Sequence, residues 1–146
     1  MLGTLHHVAY VARDLRAGIA TLCETYGLAV AAEHALPAFG TRAAMLRGGG
    51  TTVEVLTLDD PELLAARLAG QQLRLDHLAH EVADIERAAA RLRAAGARFI
   101  APDGSSLDAP LELGGARHLW TAPAAAPGVC VQLVEPAGPA DPAPRA

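Results

Sequence analysis

At 146 residues the chain is long enough to bury a real core, either as one compact domain or as two tightly fused half-domains. Half of it is hydrophobic with only 3% aromatics, so the core is expected to consist mainly of Ala, Leu and Val. The net charge of −4 is spread over both signs, no basic run points to nucleic acid, and no apolar stretch approaches the roughly 20 residues that span a bilayer.

The first strand is expected at Leu5–Ala12. Asp14 is a candidate N-cap for a helix in which Leu15, Gly18, Ile19, Leu22 and Tyr26 recur at helical spacing, with Gly27 as its stop. Strands follow over residues 28–35, 41–46 and 51–58, separated by residues 37–40 and by Gly48-Gly49-Gly50. Residues 4–58 therefore read as a first βαβββ module. Residues 59–72 are a connector with a short helix over Pro61–Leu68, since Pro61 suits a first helical turn. The pattern then restarts. A strand over 73–82 precedes a helix capped by Asp84, with Ile85, Ala88, Ala89 and Leu92 on one face and Gly96 as its stop. A strand over 98–101, a long loop over 102–115 with room for a short irregular strand, and strands over 116–121 and 129–135 complete a second βαβββ module, residues 73–136. The Pro- and Ala-rich tail, 137–146, is expected to be disordered.

The restart is a repeat. Moved by 70 positions, Leu5-His6-His7-Val8-Ala9 falls on Leu75-Asp76-His77-Leu78-Ala79, and Asp14 falls on Asp84. Moved by 78, Gly50-Thr51-Thr52-Val53-Glu54 falls on Gly128-Val129-Cys130-Val131-Gln132. A duplicated module brings equivalent residues together about a pseudo-two-fold axis. The duplicated polar positions are His7, Glu54, His77 and Gln132. Two imidazoles, a carboxylate and a carboxamide make a candidate ligand set for one divalent metal ion. Both histidines stand on the first strand of a module, and Glu54 and Gln132 on the last. Side chains alternate between the faces of a strand, so the four can converge on the concave side of a curved sheet. By the same alternation His6, Tyr10 and His80 point away. The expected fold is α+β, with two tandem βαβββ modules forming a curved, mainly antiparallel eight-stranded sheet around a cleft.

The run from Leu5 to Leu15 resembles the opening of the vicinal oxygen chelate superfamily. That superfamily includes glyoxalase I, methylmalonyl-CoA epimerase, extradiol dioxygenases and the bleomycin- and fosfomycin-resistance proteins. Leu75 to Ile85 resembles its second module, and Gly114 to Pro123 and Gly128 to Pro136 resemble its closing strands. The likeness covers about residues 4 to 136 and is closest in layout to the methylmalonyl-CoA epimerases. It implies a divalent metal ion (Co, Zn, Ni, Mn and Fe all remain open) held by His7, Glu54, His77 and Gln132. In the epimerases the last-strand ligand is normally Glu and the fourth-strand ligand often Gln. Here the two are exchanged, which leaves the charge of the donor set unchanged. A further glutamate of the epimerases has its nearest counterpart around Ala43, and their His-Pro near the end of the seventh strand is Ala122-Pro123.

The implied function is a metal-dependent isomerase, epimerase or lyase of a small oxygenated carbonyl metabolite, stabilising an enolate-like intermediate. Glu54, the one carboxylate of the ligand set, is the candidate catalytic proton carrier, with His80, Glu81 or His118 as further candidates if strand parity differs. A metal-free binding or antibiotic-sequestration protein of the same fold is the alternative, with Trp120 and Phe39 as its aromatic candidates. A dioxygenase using His7, His77 and Glu54 is the third reading. Arg42, Arg47 and Arg117 are candidates to pair with a carboxylate or phosphate of a substrate. Cys23 and Cys130 read as buried thiols acting as small hydrophobes. The N-terminus lacks a signal-peptide pattern, so a cytoplasmic protein is expected. The family and the open edges of the sheet imply a homodimer.

Overall fold

A computed structural model describes residues 2–123 and 129–137. The last part of the expected tail, from residue 138, lies outside the described residues. In each half a helix begins where an aspartate follows the first strand. The Asp14 carboxylate accepts from the Ala17 amide and Asp84 from the Arg87 amide, both at 2.9 Å. These caps start α1 (Leu15–Tyr26) and α3 (Ile85–Ala94), and a cap of this kind contributes about 1 kcal/mol. The connector carries α2 (Pro61–Leu68), with Asp60 as its N-cap and Pro61 in its first turn.

The strands are β1 (Leu5–Ala12), β2 (Ala29–Leu36), β3 (Thr41–Gly48), β4 (Thr51–Leu58), β5 (Leu73–Glu81), β6 (Phe99–Ile100), β7 (Leu111–Leu113), β8 (Ala116–Thr121) and β9 (Cys130–Glu135). They form one sheet in the order β2-β3-β4-β1-β5-β9-β8-β6, with β7 paired to β8. β1–β4 and β5–β9 are parallel and the other pairs antiparallel. The sheet thus has nine strands where eight are expected. The extra one, β7, folds back on β8 through Gly114 (φ 59°) and Gly115 (φ 82°). Positive φ at both central residues is what a two-residue type I′ turn requires, and glycine meets it without steric cost.

The two halves join where β1 lies against β5. Their pairing is symmetric about Val8–Leu78, with His7 opposite Ala79 and Ala9 opposite His77. On the outer face Ile19 and Leu22 of α1 pack on Ala44, Leu46, Val53 and Val55, and Ile85 and Ala89 of α3 pack on Phe99, Leu119 and Leu133. Burying a Leu, Ile or Val side chain contributes about 1.5–3 kcal/mol. The inner face is only partly covered. Leu68 of α2, with Leu63 and Leu64, packs there on Val11, Ala43, Leu56 and Leu58. The connector therefore roofs one end of the inner face and leaves a cleft of about 800 Å³ beside it. No helix among the described residues is long and apolar enough to cross a membrane.

Candidate metal centre

The parallel neighbours extend the symmetric pairing. Ala9 lies beside Glu54 and Ala79 beside Gln132. Residues paired across strands share a face, so His7, Glu54, His77 and Gln132 all rise from the inner side. Between them stand Ala9 and Ala79, both fully buried and too small to fill the space above. His7 Nε2 lies 3.3 Å from His77 Nε2 and 3.3 Å from Glu54 Oε2. His77 Nε2 lies 3.5 Å from Glu54 Oε2 and 3.0 Å from Gln132 Oε1. Ligand atoms of His7, Glu54 and His77 all fall within 4.8 Å of one another. Donors bound at about 2.0–2.3 Å in tetrahedral or octahedral geometry stand roughly 2.8–3.7 Å apart, so these separations fit one shared ion.

The chemistry of the donor set fits as well. The Asp76 carboxylate can only accept, so His77 Nδ1 donates to Asp76 Oδ2, at 2.8 Å, and the neutral ring keeps the Nε2 lone pair for the site. Gln132 Nε2 donates to His118 Nδ1 at 2.9 Å, and His118 Nε2 donates to the Leu113 carbonyl at 3.2 Å. This leaves Gln132 Oε1 facing His77. Four potential donor side chains with one negative charge among them thus converge here, a set that a divalent cation would suit.

Burial raises the Glu54 carboxyl, but the hydrogen bonds from His34 and His7 and the proximity of His77 outweigh it and hold Glu54 far below the usual carboxylate range. His34 is raised in turn, chiefly by its hydrogen bond to Glu54. Burial also raises Asp76, and the His77 hydrogen bond and the Arg67 charge more than reverse it. His118 is lowered, first by burial, which favours the neutral ring that its two hydrogen bonds need.

All four expected ligands come together, and several neighbours differ from expectation. His6 does not point away. The β1–β5 ladder skips a residue between Leu5 and His7, and this bulge turns His6 into the cleft, where its Nδ1 lies 2.7 Å from His7 Nδ1. Tyr10 packs on the outer face and His80 turns to the Gly3 carbonyl, as alternation expects. His118 lines the cleft, stacked on Trp120, whereas Glu81 and Phe39 do not line it. Arg42 pairs with Asp59, and Arg117 with Glu86 and Glu135, so neither faces the cleft, and Arg47 lies at the β3–β4 hairpin. Among the described residues, the arginines that do line it are Arg67 and Arg74. His34 went unseen in the sequence. Its Nε2 lies 3.3 Å from Glu54 Oε1, and in the β2–β3 ladder it stands opposite Ala43. Cys23 is half-buried and Cys130 buried, and both are free thiols.

The sequence profile of the Glyoxalase/Bleomycin resistance protein/Dioxygenase superfamily matches residues 6–110. An ethylmalonyl-CoA/methylmalonyl-CoA epimerase of Cereibacter sphaeroides is 33% identical over 102 residues, 68% of this chain and 76% of the relative. The crystal structure of methylmalonyl-CoA epimerase from Mycobacterium tuberculosis superposes with a TM-score of 0.75 over 94% of each chain, at 26% identity. A Streptomyces coelicolor methylmalonyl-CoA epimerase variant in complex with 2-nitronate-propionyl-CoA superposes with a TM-score of 0.77, over 97% of this chain and 100% of that one, at 25% identity. These likenesses support an epimerase or isomerase. Matched by profile across both His7 and His77, and by fold across nearly its whole length, the chain belongs to the glyoxalase/bleomycin resistance protein/dioxygenase superfamily.

Proposed function

We propose that this protein is a divalent-metal-dependent epimerase that inverts the carbon next to the carbonyl of an acyl thioester of the methylmalonyl-CoA type. The observation that carries the reading is the convergence of His7, Glu54, His77 and Gln132 at separations that suit one ion. A divalent ion there would supply Lewis-acid stabilisation of the negative charge that develops on a substrate oxygen when the α-proton leaves.

The protein's own groups supply the proton handling. Glu54 turns Oε2 toward the two ligand histidines and Oε1 toward His34. Glu54, which lines the cleft, is the proton acceptor of this reading, and His34 Nε2, 3.3 Å from its Oε1, is the second carrier. His34 stands opposite Ala43, around which the epimerase resemblance calls for a second glutamate, so an imidazole takes up the duty there. Leu56, Leu58 and Met45 line the cleft next to Glu54 and keep its surroundings apolar, which strengthens charge interactions at the site. A homodimer belongs to the same reading, since β2 is an edge strand with nearly every residue exposed.

The test is exchange of the α-proton of methylmalonyl-CoA for deuterium in heavy water, followed by NMR with Co²⁺-supplemented protein. Exchange is expected in the wild type and not in Glu54→Gln. A wild type that binds the thioester without exchanging the proton would instead favour the sequestration reading.

A further inference from the structure

We propose that Asp76 is the positioning residue of the second half of the centre: it fixes His77 as a ligand, and Arg67 of the connector helix fixes Asp76. This rests on the metal reading above. The repeat itself points to the role. Position 6 falls on position 76, so in both halves the residue before a ligand histidine reaches the Nδ1 of that histidine, at 2.7 Å from His6 and 2.8 Å from Asp76. The chemistry of the two is unequal. An imidazole can donate or accept, so His6 leaves the tautomer of His7 open. A carboxylate only accepts, so Asp76 holds His77 with its proton on Nδ1 and its lone pair on Nε2. Outer partners of this kind raise the basicity of a ligand histidine and fix its orientation.

Asp76 is itself held. Arg67 Nη1 reaches both of its carboxylate oxygens, at 3.4 and 3.3 Å, and Arg67 Nη2 donates to the Pro102 carbonyl at 2.6 Å. Arg74 Nη1 donates to the Arg67 carbonyl at 2.8 Å. The side chains of Asp76 and Arg67 are 9% and 19% exposed, so water screens the pair little. The helix that roofs one end of the cleft is thereby wired to one of the metal ligands. Among the described residues no equivalent link ties His6 to the first half's helix, α1, which packs on the outer face.

The experiment uses the full chain and two readouts. Long-range proton–nitrogen NMR of the metal-free protein reports which nitrogen of His77 carries the proton, and calorimetry with Co²⁺ reports affinity. The wild type is expected to show a single Nδ1–H tautomer at His77. Asp76→Ala is expected to show a mixture and to bind Co²⁺ about 10–100-fold more weakly. Asp76→Asn, which keeps an accepting oxygen, is expected to restore the tautomer and part of the affinity. An unchanged tautomer in Asp76→Ala overturns the proposal, and a changed tautomer with unchanged affinity overturns the link to the ion. If Asp76→Ala does not fold, Arg67→Ala, which leaves the Asp76 carboxylate unheld, decides: wild-type tautomer and Co²⁺ affinity overturn the proposal, and a mixed His77 tautomer with weakened affinity supports it. A wild type that binds no Co²⁺ removes the metal reading alone, because the tautomer is read without metal.

Discussion

His34 Nε2 lies 3.3 Å from Glu54 Oε1, which joins a histidine on an edge strand to the one carboxylate among the four ligand candidates. Glu54 uses its other oxygen toward His7 and His77. In the proposed reading, proton transfer and ion binding would therefore use different oxygens of this residue. His34→Ala is expected to slow turnover about 10²–10⁴-fold, the usual contribution of a positioned acid or base, while Co²⁺ affinity stays within a few-fold of wild type. Parallel measurement of kcat and of metal affinity checks this. A matched fall in both would make His34 a support for the ligand and not a proton carrier.

Gln132 depends on His118 in a different way. With Nε2 donated to His118 Nδ1, the carboxamide is held with its oxygen toward His77. His118→Ala frees the amide to rotate and is expected to weaken Co²⁺ binding about 10-fold. Because His118 stacks on Trp120 at 5.7 Å, the same variant is expected to shift the tryptophan fluorescence. Unaltered metal affinity alongside shifted fluorescence would show that the amide is held by other contacts.

The convergence of His7, Glu54, His77 and Gln132 was legible because the repeat places them symmetrically: β1 and β5 pair about Val8–Leu78, and each has its own parallel partner strand. The groups around them were not. His6 reads as outward by alternation, and only a bulge in the ladder turns it inward. His34 lies on an edge strand exposed along almost all its length, where no polar–apolar alternation marks a face. Arg67 sits in a stretch that reads as a linker, and its role appears only once α2 packs on Val11, Leu56 and Leu58. β7 lies in the loop that had room for a short irregular strand, and its bounds were not legible because three residues and a glycine turn leave little periodic signal.

Burial, and then the negative charge of Asp76, push the Cys130 thiol up to about 12. At pH 8 the reactive thiolate is therefore scarce. Native protein treated with iodoacetamide at pH 8 is expected to remain unlabelled at Cys130, while denatured protein is labelled at both cysteines. Peptide mass spectrometry distinguishes the two. Rapid native labelling of Cys130 would mean that the cleft wall around it opens.

Gly18 lets α1 approach the sheet. A Cβ placed there would stand 2.7 Å from Ala12 Cβ and 3.1 Å from Val55 Cγ1. Neither neighbour has a flexible end to move aside. Overpacking of this kind costs about 1–3 kcal/mol. A helix gains only up to about 1 kcal/mol from Gly→Ala. Gly18→Ala is therefore expected to lower the urea midpoint at unchanged slope. A raised midpoint would show that the α1 interface has room.

The measurement that bears most directly on the metal centre is calorimetric Co²⁺ titration at fixed pH of the wild type, Glu54→Gln and Gln132→Glu. Both changes preserve side-chain size and alter the charge at the candidate site, and Gln132→Glu also replaces the amide N–H that donates to His118 Nδ1. Glu54→Gln removes the single anion from the ligand set and is expected to weaken binding strongly, whereas Gln132→Glu adds one and is expected to tighten it. Equal affinities in all three proteins would mean that these residues are not ligands, and the cleft would then stand as a metal-free binding site.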